Sequence, residues 1–212
     1  MSSSAAKKPG PPSLQDGESY TQFELMIAGK PYLAGDKYLC RLRDEQADTL
    51  WTINQERNTD KRMALYKSFV NMKEGKVAIM TPFTCEYGFN ITFGDDVYIG
   101  PNCQFLDVCP IIIGDRTMIA ANCQLYTPTH PLAPEERNGL QGPEWAKPIT
   151  IGHDCWLGGG VILVPGITVG DGAVIGAGSV VTKNVEARSV VAGNPARVVK
   201  RIAADGTVRS VP

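Results

Sequence analysis

The chain has only two histidines, His130 and His153. Imidazole is mostly neutral at physiological pH and can accept a proton, so a histidine on a loop is a candidate general base. His130 opens the polar, proline-rich stretch TPTHPLAPEERNGLQGPEWAKP, bracketed by Pro128 and Pro131. Two readings of it stand side by side, a base presented by the loop and a histidine that anchors a turn. Two imidazoles cannot supply a three-histidine zinc site from one subunit. The six cysteines, Cys40, Cys85, Cys103, Cys109, Cys123 and Cys155, form no CxxC pair. They read as buried thiols of a reducing compartment, which points to the cytoplasm. The net charge of −1, from 21 basic and 22 acidic residues, gives no footprint for nucleic acid. No apolar run is long enough for a membrane span, and no signal-peptide pattern opens the chain.

The element that must position such a loop is a repeat. Ile151, Leu157, Leu163, Val169, Ile175 and Val181 recur every six residues, with Gly152, Gly158, Gly170 and Gly176 each following an aliphatic. Neither helical periodicity nor strand alternation produces a strict six. A hexapeptide repeat does, as a parallel β-helix in which three short strands and three corners make a coil of about eighteen residues. The aliphatics point inward, and small or branched residues recur four positions later at Cys155, Val161, Ile167, Ala173 and Ser179. The repeat begins near Phe93, with Ile99 and Phe105, and resumes at Ile113, Ile119 and Leu125. The step of eight between Phe105 and Ile113 predicts a bulged corner around Cys109-Pro110. The step of twenty-six from Leu125 to Ile151 predicts that residues 127–148 leave the prism as a loop.

Upstream, Met1 to Ser19 carry little to bury and read as a disordered tail. Residues 20–75 read as a helical cap. Asp36 caps a helix running to Asp48 or slightly beyond, and a second helix runs from Thr59 to about Met72. Such helices would cover the open end of the prism, which is otherwise an exposed sheet edge. The β-helix then occupies 76–202, and 203–212 is a C-terminal tail.

Several segments together resemble a known family: MIAGKPY, NCQFLDVCPIIIGDRTMIAANCQLYTPTHPLAPEERNG, PITIGHDCWLGGGVILVPG and VIGAGSVVTKNV followed by VAGNPARVVKRI. Over roughly Met26 to Ile202 the chain is similar to the maltose, galactoside and nodulation-factor branch of the hexapeptide-repeat O-acetyltransferases. The resemblance implies a mainly β, left-handed parallel β-helix that moves acetyl from acetyl-CoA, a co-substrate, to a hydroxyl of a small acceptor, usually a sugar. It implies no metal requirement, and a homotrimer with active sites between neighbouring prisms.

By the same resemblance His130 is the general base, needed because a neutral alcohol is a poor nucleophile. Glu144 would orient the imidazole or stabilise its charged form. Gly158-Gly159-Gly160 could offer a backbone N–H to the oxyanion, or be a plain corner. Trp156 would line the cofactor or acceptor pocket. Ala120, Gly159, Ala177, Thr182, Lys183, Arg197 and Lys200 would contact the cofactor, the three cations meeting its phosphates. Tyr98 and Asp36 would contact the acceptor, while His153 is a surface corner residue. Two departures stand out. The family's Tyr-Ala-Asn run here reads Tyr98-Ile99-Gly100, and Leu33 and Ala34 occupy the neighbourhood of an N-terminal Asp, with Asp36 displaced. The alternatives are a xenobiotic or other small-alcohol acetyltransferase, and a non-catalytic hexapeptide scaffold.

Overall fold

The computed structural model describes residues 10–73 and 75–211. Three helices open the described chain: α1 (Thr21–Ile27), α2 (Lys37–Gln55) and α3 (Thr59–Phe69). Asp36 caps α2, its carboxylate accepting from the Tyr38 and Leu39 amides, and Asn58 caps α3 through the Lys61 amide. α2 extends seven residues beyond Asp48, and α3 stops at Phe69 because the chain there enters the prism.

The first coil is β1 (Asn71–Met72), β2 (Val77–Ile79) and β3 (Phe83–Cys85); the second is β4 (Ile91–Phe93), β5 (Val97–Ile99) and β6 (Cys103–Leu106). β7 (Ile111–Ile113), β8 (Met118–Ile119) and β9 (Gln124–Tyr126) form the third. The loop follows, closed at its root by the antiparallel pair β10 (Pro128–Thr129) and β11 (Trp145–Ala146). The prism resumes with β12 (Ile149–Ile151), β13 (Trp156–Leu157) and β14 (Ile162–Leu163), then β15 (Thr168–Val169), β16 (Val174–Ile175) and β17 (Val180–Val181). Equivalent strands pair in parallel to give three sheets, β1-β4-β7-β12-β15, β2-β5-β8-β13-β16 and β3-β6-β9-β14-β17. β18 (Ser189–Gly193) adds to the second sheet as the start of a sixth turn.

Register shows why a strict six gives this shape. Ile79, Ile99, Ile119, Leu157 and Ile175 stack in one inward row, and Cys85, Phe105, Leu125, Leu163 and Val181 in another. Cys103, Cys123 and Cys155 are fully enclosed in the small-residue rows, each thiol donating to a backbone carbonyl at 3.2 Å. All six cysteines are unpaired thiols.

Three boundaries move. The prism begins at Asn71, a full coil before Phe93; in this coil a cysteine and a methionine sit where aliphatics belong. Phe83 plugs its open end, edge-on to Phe105 and near Tyr66 of α3. The parallel helix stops at β18, because β19 (Ala196–Ile202) and β20 (Val208–Ser210) turn back as an antiparallel meander. The C-terminal segment 203–212 is therefore partly strand. Of the tail, residues 1–9 lie outside the described residues, but residues 10–19 fold onto α2. There Arg41 pairs with Glu18 and bonds the Ser13 carbonyl, and Tyr38 donates to the Pro12 carbonyl.

The cap has two cores. Leu50, Ile53, Tyr66, Phe69 and Val70 close the end of the prism. Met26, Tyr32, Tyr38, Leu39 and Leu42 instead pack with Tyr87, Val108, Cys109 and Ala146 against one edge.

Candidate active site

That edge is the one between the third sheet and the first sheet of the next coil. It is widened by two residues in the early coils, where equivalent strands lie 20 residues apart (Phe83 opposite Cys103, Gln104 opposite Gln124), against 18 for Ile162 opposite Val180. The expected bulge at Cys109-Pro110 is thus one instance of a recurring feature, and the loop leaves from the same edge one coil later. Extra residues turn backbone amides away from the ladder, and buried acceptors meet them. The enclosed Asp107 carboxylate accepts from the amides of Glu86 and Tyr87 at 2.9 Å and of Gly88 at 2.8 Å. Burial nonetheless pushes its carboxyl up to about 6. Thr127, also enclosed, donates to the Leu106 carbonyl and accepts from the Cys109 amide.

On this base stands the proposed base. His130 follows β10, half-exposed, with Nε2 3.4 Å from Oε2 of Glu144, which precedes β11. Glu144 is itself held by the cap. Its backbone exchanges hydrogen bonds with Tyr32 at 2.9 and 3.0 Å, and its Oε1 accepts from the Tyr32 hydroxyl. Tyr32 is enclosed, and burial together with the adjacent carboxylate raises its hydroxyl pKa far above the ordinary tyrosine range, so it remains a donor. The chain Tyr32–Glu144–His130 turns the imidazole Nε2 toward a carboxylate that the cap holds in place. Tyr32 has no role in the sequence reading, although it ends the MIAGKPY segment. Glu86 and Asp107 were also missed, for their signal is a two-residue excess in the repeat.

Most of the remaining candidates lie away from that edge. Tyr98, Met118 and Trp156 are register neighbours on the outer surface of the second sheet, all exposed, with Met118 linking the other two. Ala120, Gly159 and Ala177 follow β8, β13 and β16 on the edge between the second and third sheets. Coils approach closely here: a Cβ on Gly158 would come within 2.6 Å of the Ala177 nitrogen. The amides of Gly158 and Gly160 bond Ile175 and Ala121 carbonyls, whereas the Gly159 N–H has no backbone acceptor among the described residues. Gly100 lies on the same edge, where a Cβ would come within 2.6 Å of the Ala121 nitrogen, so a side chain does not fit without a shift. Arg197 and Lys200 are exposed on β19, opposite Ala192 and Val190. Thr182 and Lys183 follow β17 and lie on His130's edge. Asp36 is occupied as the cap of α2 and borders a cleft of about 300 Å³ with Gln22, Leu33, Leu140 and Gln141. His153 stands in a ladder of corner side chains, its Nδ1 accepting from the Asp115 amide at 2.9 Å while its own amide donates to Asp171.

The second-sheet face is opposite the edge that carries His130. One chain thus brings His130 and Glu144 together, and separates them from Tyr98, Trp156, Ala120, Gly159 and Ala177.

A parallel hexapeptide prism with a helical cap and a carboxylate-supported histidine on an extruded loop defines the class, an acyltransferase of the β-solenoid kind. Residues 90–126 and 148–183 match the family model for the hexapeptide repeat of succinyl-transferase, and 25–71 match the maltose acetyltransferase hexapeptide capping motif. A protein named as an acetyltransferase in Staphylococcus aureus is 43% identical over 185 residues, covering 86% of this chain and 92% of the relative. The crystal structure of a maltose O-acetyltransferase from Clostridium difficile superposes with a TM-score of 0.81 at 40% identity, covering 86% of this chain and 98% of that one. A hexapeptide-repeat acetyltransferase from Vibrio cholerae, complexed with acetyl-coenzyme A, gives 0.79 at 32% identity over 86% and 99%. The chain belongs to the hexapeptide-repeat acetyltransferases of the maltose O-acetyltransferase type.

Proposed function

We propose that this protein moves acetyl from acetyl-CoA to a hydroxyl of a small, sugar-like acceptor, with His130 as general base. The observation that carries the reading is the Tyr32–Glu144–His130 chain at the root of the loop. His130 takes the hydroxyl proton as the acceptor oxygen attacks the thioester carbonyl carbon. The tetrahedral oxyanion is met by a backbone donor, for which the Gly159 N–H is open. Collapse breaks the carbon–sulfur bond, forms the acetyl ester and releases the CoA thiolate, which recovers the proton from the imidazolium. Glu144 stabilises that imidazolium while it exists. The close-packed edge of Ala120, Gly159 and Ala177 suits the pantetheine arm, and Arg197, Lys200 and Lys183 suit its phosphates. Trp156 and Tyr98 supply apolar surface to cofactor and acceptor.

The site is completed in a homotrimer. Support comes from the separation within one prism: the face with Tyr98 and Trp156 meets a His130 edge only when a second copy provides it. The closed corner at Gly100 favours an acceptor other than maltose, since a hydrogen-bonding side chain has no room there. The test is CoA thiol release from acetyl-CoA over a panel of sugars and other alcohols, with sedimentation of the same preparation. His130→Ala is expected to lower kcat/KM by about 10²–10⁴-fold with acetyl-CoA binding retained. Undiminished turnover in that variant would sink the mechanism, and an active monomer the shared site.

A further inference from the structure

The extruded loop turns back on itself at Asn138-Gly139, between His130 and Glu144, and this is the one Asn-Gly pair in the chain. Asn138 closes a short helix, α4 (Pro134–Arg137), and opens a single 3₁₀ turn, Gly139–Gln141. Asn138 (φ 43°) and Gly139 (φ 55°) both lie in the left-handed region, which reverses the chain within two residues. Two backbone bonds hold the reversal: the Asn138 amide donates to the Pro134 carbonyl at 3.0 Å, and the Gln141 amide to the Asn138 carbonyl at 3.1 Å. A Cβ on Gly142 would come within 2.0 Å of the Arg137 carbonyl oxygen, so the two arms of the turn touch. Asn138 and Gly139 are both exposed. The Asn138 side chain makes no capping bond, and the Gly139 N–H has no backbone acceptor among the described residues. Other asparagines are placed differently. The side-chain amides of Asn54, Asn71 and Asn90 donate to backbone carbonyls, and Asn102 and Asn122 precede enclosed cysteines.

We propose that Asn138 is a self-modification site, converted by water to isoaspartate and aspartate through a succinimide. The deprotonated Gly139 nitrogen attacks Cγ of Asn138, a carbon–nitrogen bond closes the five-membered imide, and ammonia leaves. Glycine places no Cβ in the way of that attack. Cyclisation requires the left-handed turn to open, and only the two backbone bonds resist, since neither reacting group is tied. Water then adds to one imide carbonyl. Addition at the side-chain carbonyl gives aspartate; addition at the former backbone carbonyl gives isoaspartate, whose main chain runs through Cβ and Cγ. Either product adds a negative charge close to Glu135 and Glu136. Isoaspartate also lengthens the main chain by a methylene, which a reversal made by two successive residues cannot absorb. The Gln141 bond is then lost, and the wall that Leu140 and Gln141 give to the cleft beside Asp36 moves. The chemistry needs only the turn and water, whatever reaction His130 serves.

The experiment is incubation of the full chain at about pH 8, beside a synthetic peptide of residues 134–142, followed by peptide mass mapping. The fragment with Asn138 is expected to gain about 1 Da before any other asparagine fragment, and to be labelled by an isoaspartate methyltransferase. Its rate should fall within about a hundredfold of the free peptide's, the most that two hydrogen bonds withhold. In the isoaspartate form, separated by its added charge, hydrogen exchange at the Gln141 amide should quicken about tenfold. Asn138→Gly keeps the left-handed turn and lacks the side-chain amide, so it should show neither the mass gain nor the faster exchange. A slower conversion than that limit, a first conversion at another asparagine, or unchanged Gln141 exchange in the isoaspartate form overturns the proposal.

Discussion

The fourth and fifth coils and the widened edge of the first three are built by opposite rules. From Ile149 to Val181 every coil has the minimal length, its interior is aliphatic, and backbone groups pair with the coils on either side. At the widened edge two extra residues per coil free backbone groups, and polar side chains meet them: the buried Asp107 and Thr127 accept from amides, and the half-buried Asn90 donates to the Asp107 carbonyl. Regularity makes the first region a stack whose length can vary without changing its nature. Irregularity makes the second a place where one loop and one cap must fit together, and there Glu144 and His130 are held.

If that division is sound, damage in the regular region alters stability and leaves chemistry alone. Leu163 is enclosed between Leu125 and Val181. Leu163→Ala should cost about 3 kcal/mol in chemical denaturation, by lost burial and a residual cavity. Below the unfolding transition its kcat/KM should match wild type; a substantial kinetic loss would mean that the regular coils transmit strain to the loop edge and that the two regions are not separate.

The widened edge should show itself in the pH dependence of stability. The Glu86 carboxyl goes from an ordinary 4.5 to about 7 on folding. Between those values the folded chain keeps a proton that the unfolded chain has released, so this group's contribution is full below about 4.5 and is lost as pH rises through about 7. Glu86→Gln should therefore reduce the fall in unfolding free energy between about pH 5 and pH 8 by about 2 kcal/mol. An unchanged slope would show that the carboxyl is solvated and the edge no more polar than the rest.

The two regions also differ in how far a sequence discloses them. The fold was readable because a period of six survives in Ile151 through Val181, and the loop because a twenty-six-residue step interrupts it. His130 stood out as one of two histidines. The first coil escaped because Cys85 and Met72 take its aliphatic slots, and the meander because β19 and β20 obey strand pairing instead of the hexapeptide rule. Tyr32 was hidden for a different reason: its partner Glu144 is 112 residues away, and only the folded cap brings them together. Asp107 reads as one more loop acid until the amides of Glu86, Tyr87 and Gly88 are seen around it.

Tyr32 allows a narrower test of the cap's part in chemistry. Tyr32→Phe keeps the ring in its core and removes one donor from Glu144. It should lower kcat about tenfold with little change in KM for acetyl-CoA, and cost about 1 kcal/mol in stability. A loss confined to stability would reduce the cap to a cover.

The smallest effect is expected at His153, and it tests the regular edge from its least regular member. Four successive corners repeat one bond. The Lys76 amide donates to Asp95, the Asp95 amide to Asp115, the Asp115 amide to His153 Nδ1 and the His153 amide to Asp171, all between 2.7 and 2.9 Å. The imidazole here does what a carboxylate oxygen does in the neighbouring coils, so its role is that of an acceptor at fixed height. Its other contact, 3.5 Å from Asp115, joins a half-exposed ring to a carboxylate that Lys73 already pairs with. Such an exposed pair contributes little. Asparagine presents an oxygen at nearly the same distance from the backbone as Nδ1. His153→Asn should therefore change stability by no more than about 0.5 kcal/mol and leave turnover untouched. A loss of activity would place His153 in the chemistry and erase the contrast between an edge that only stacks and an edge that reacts.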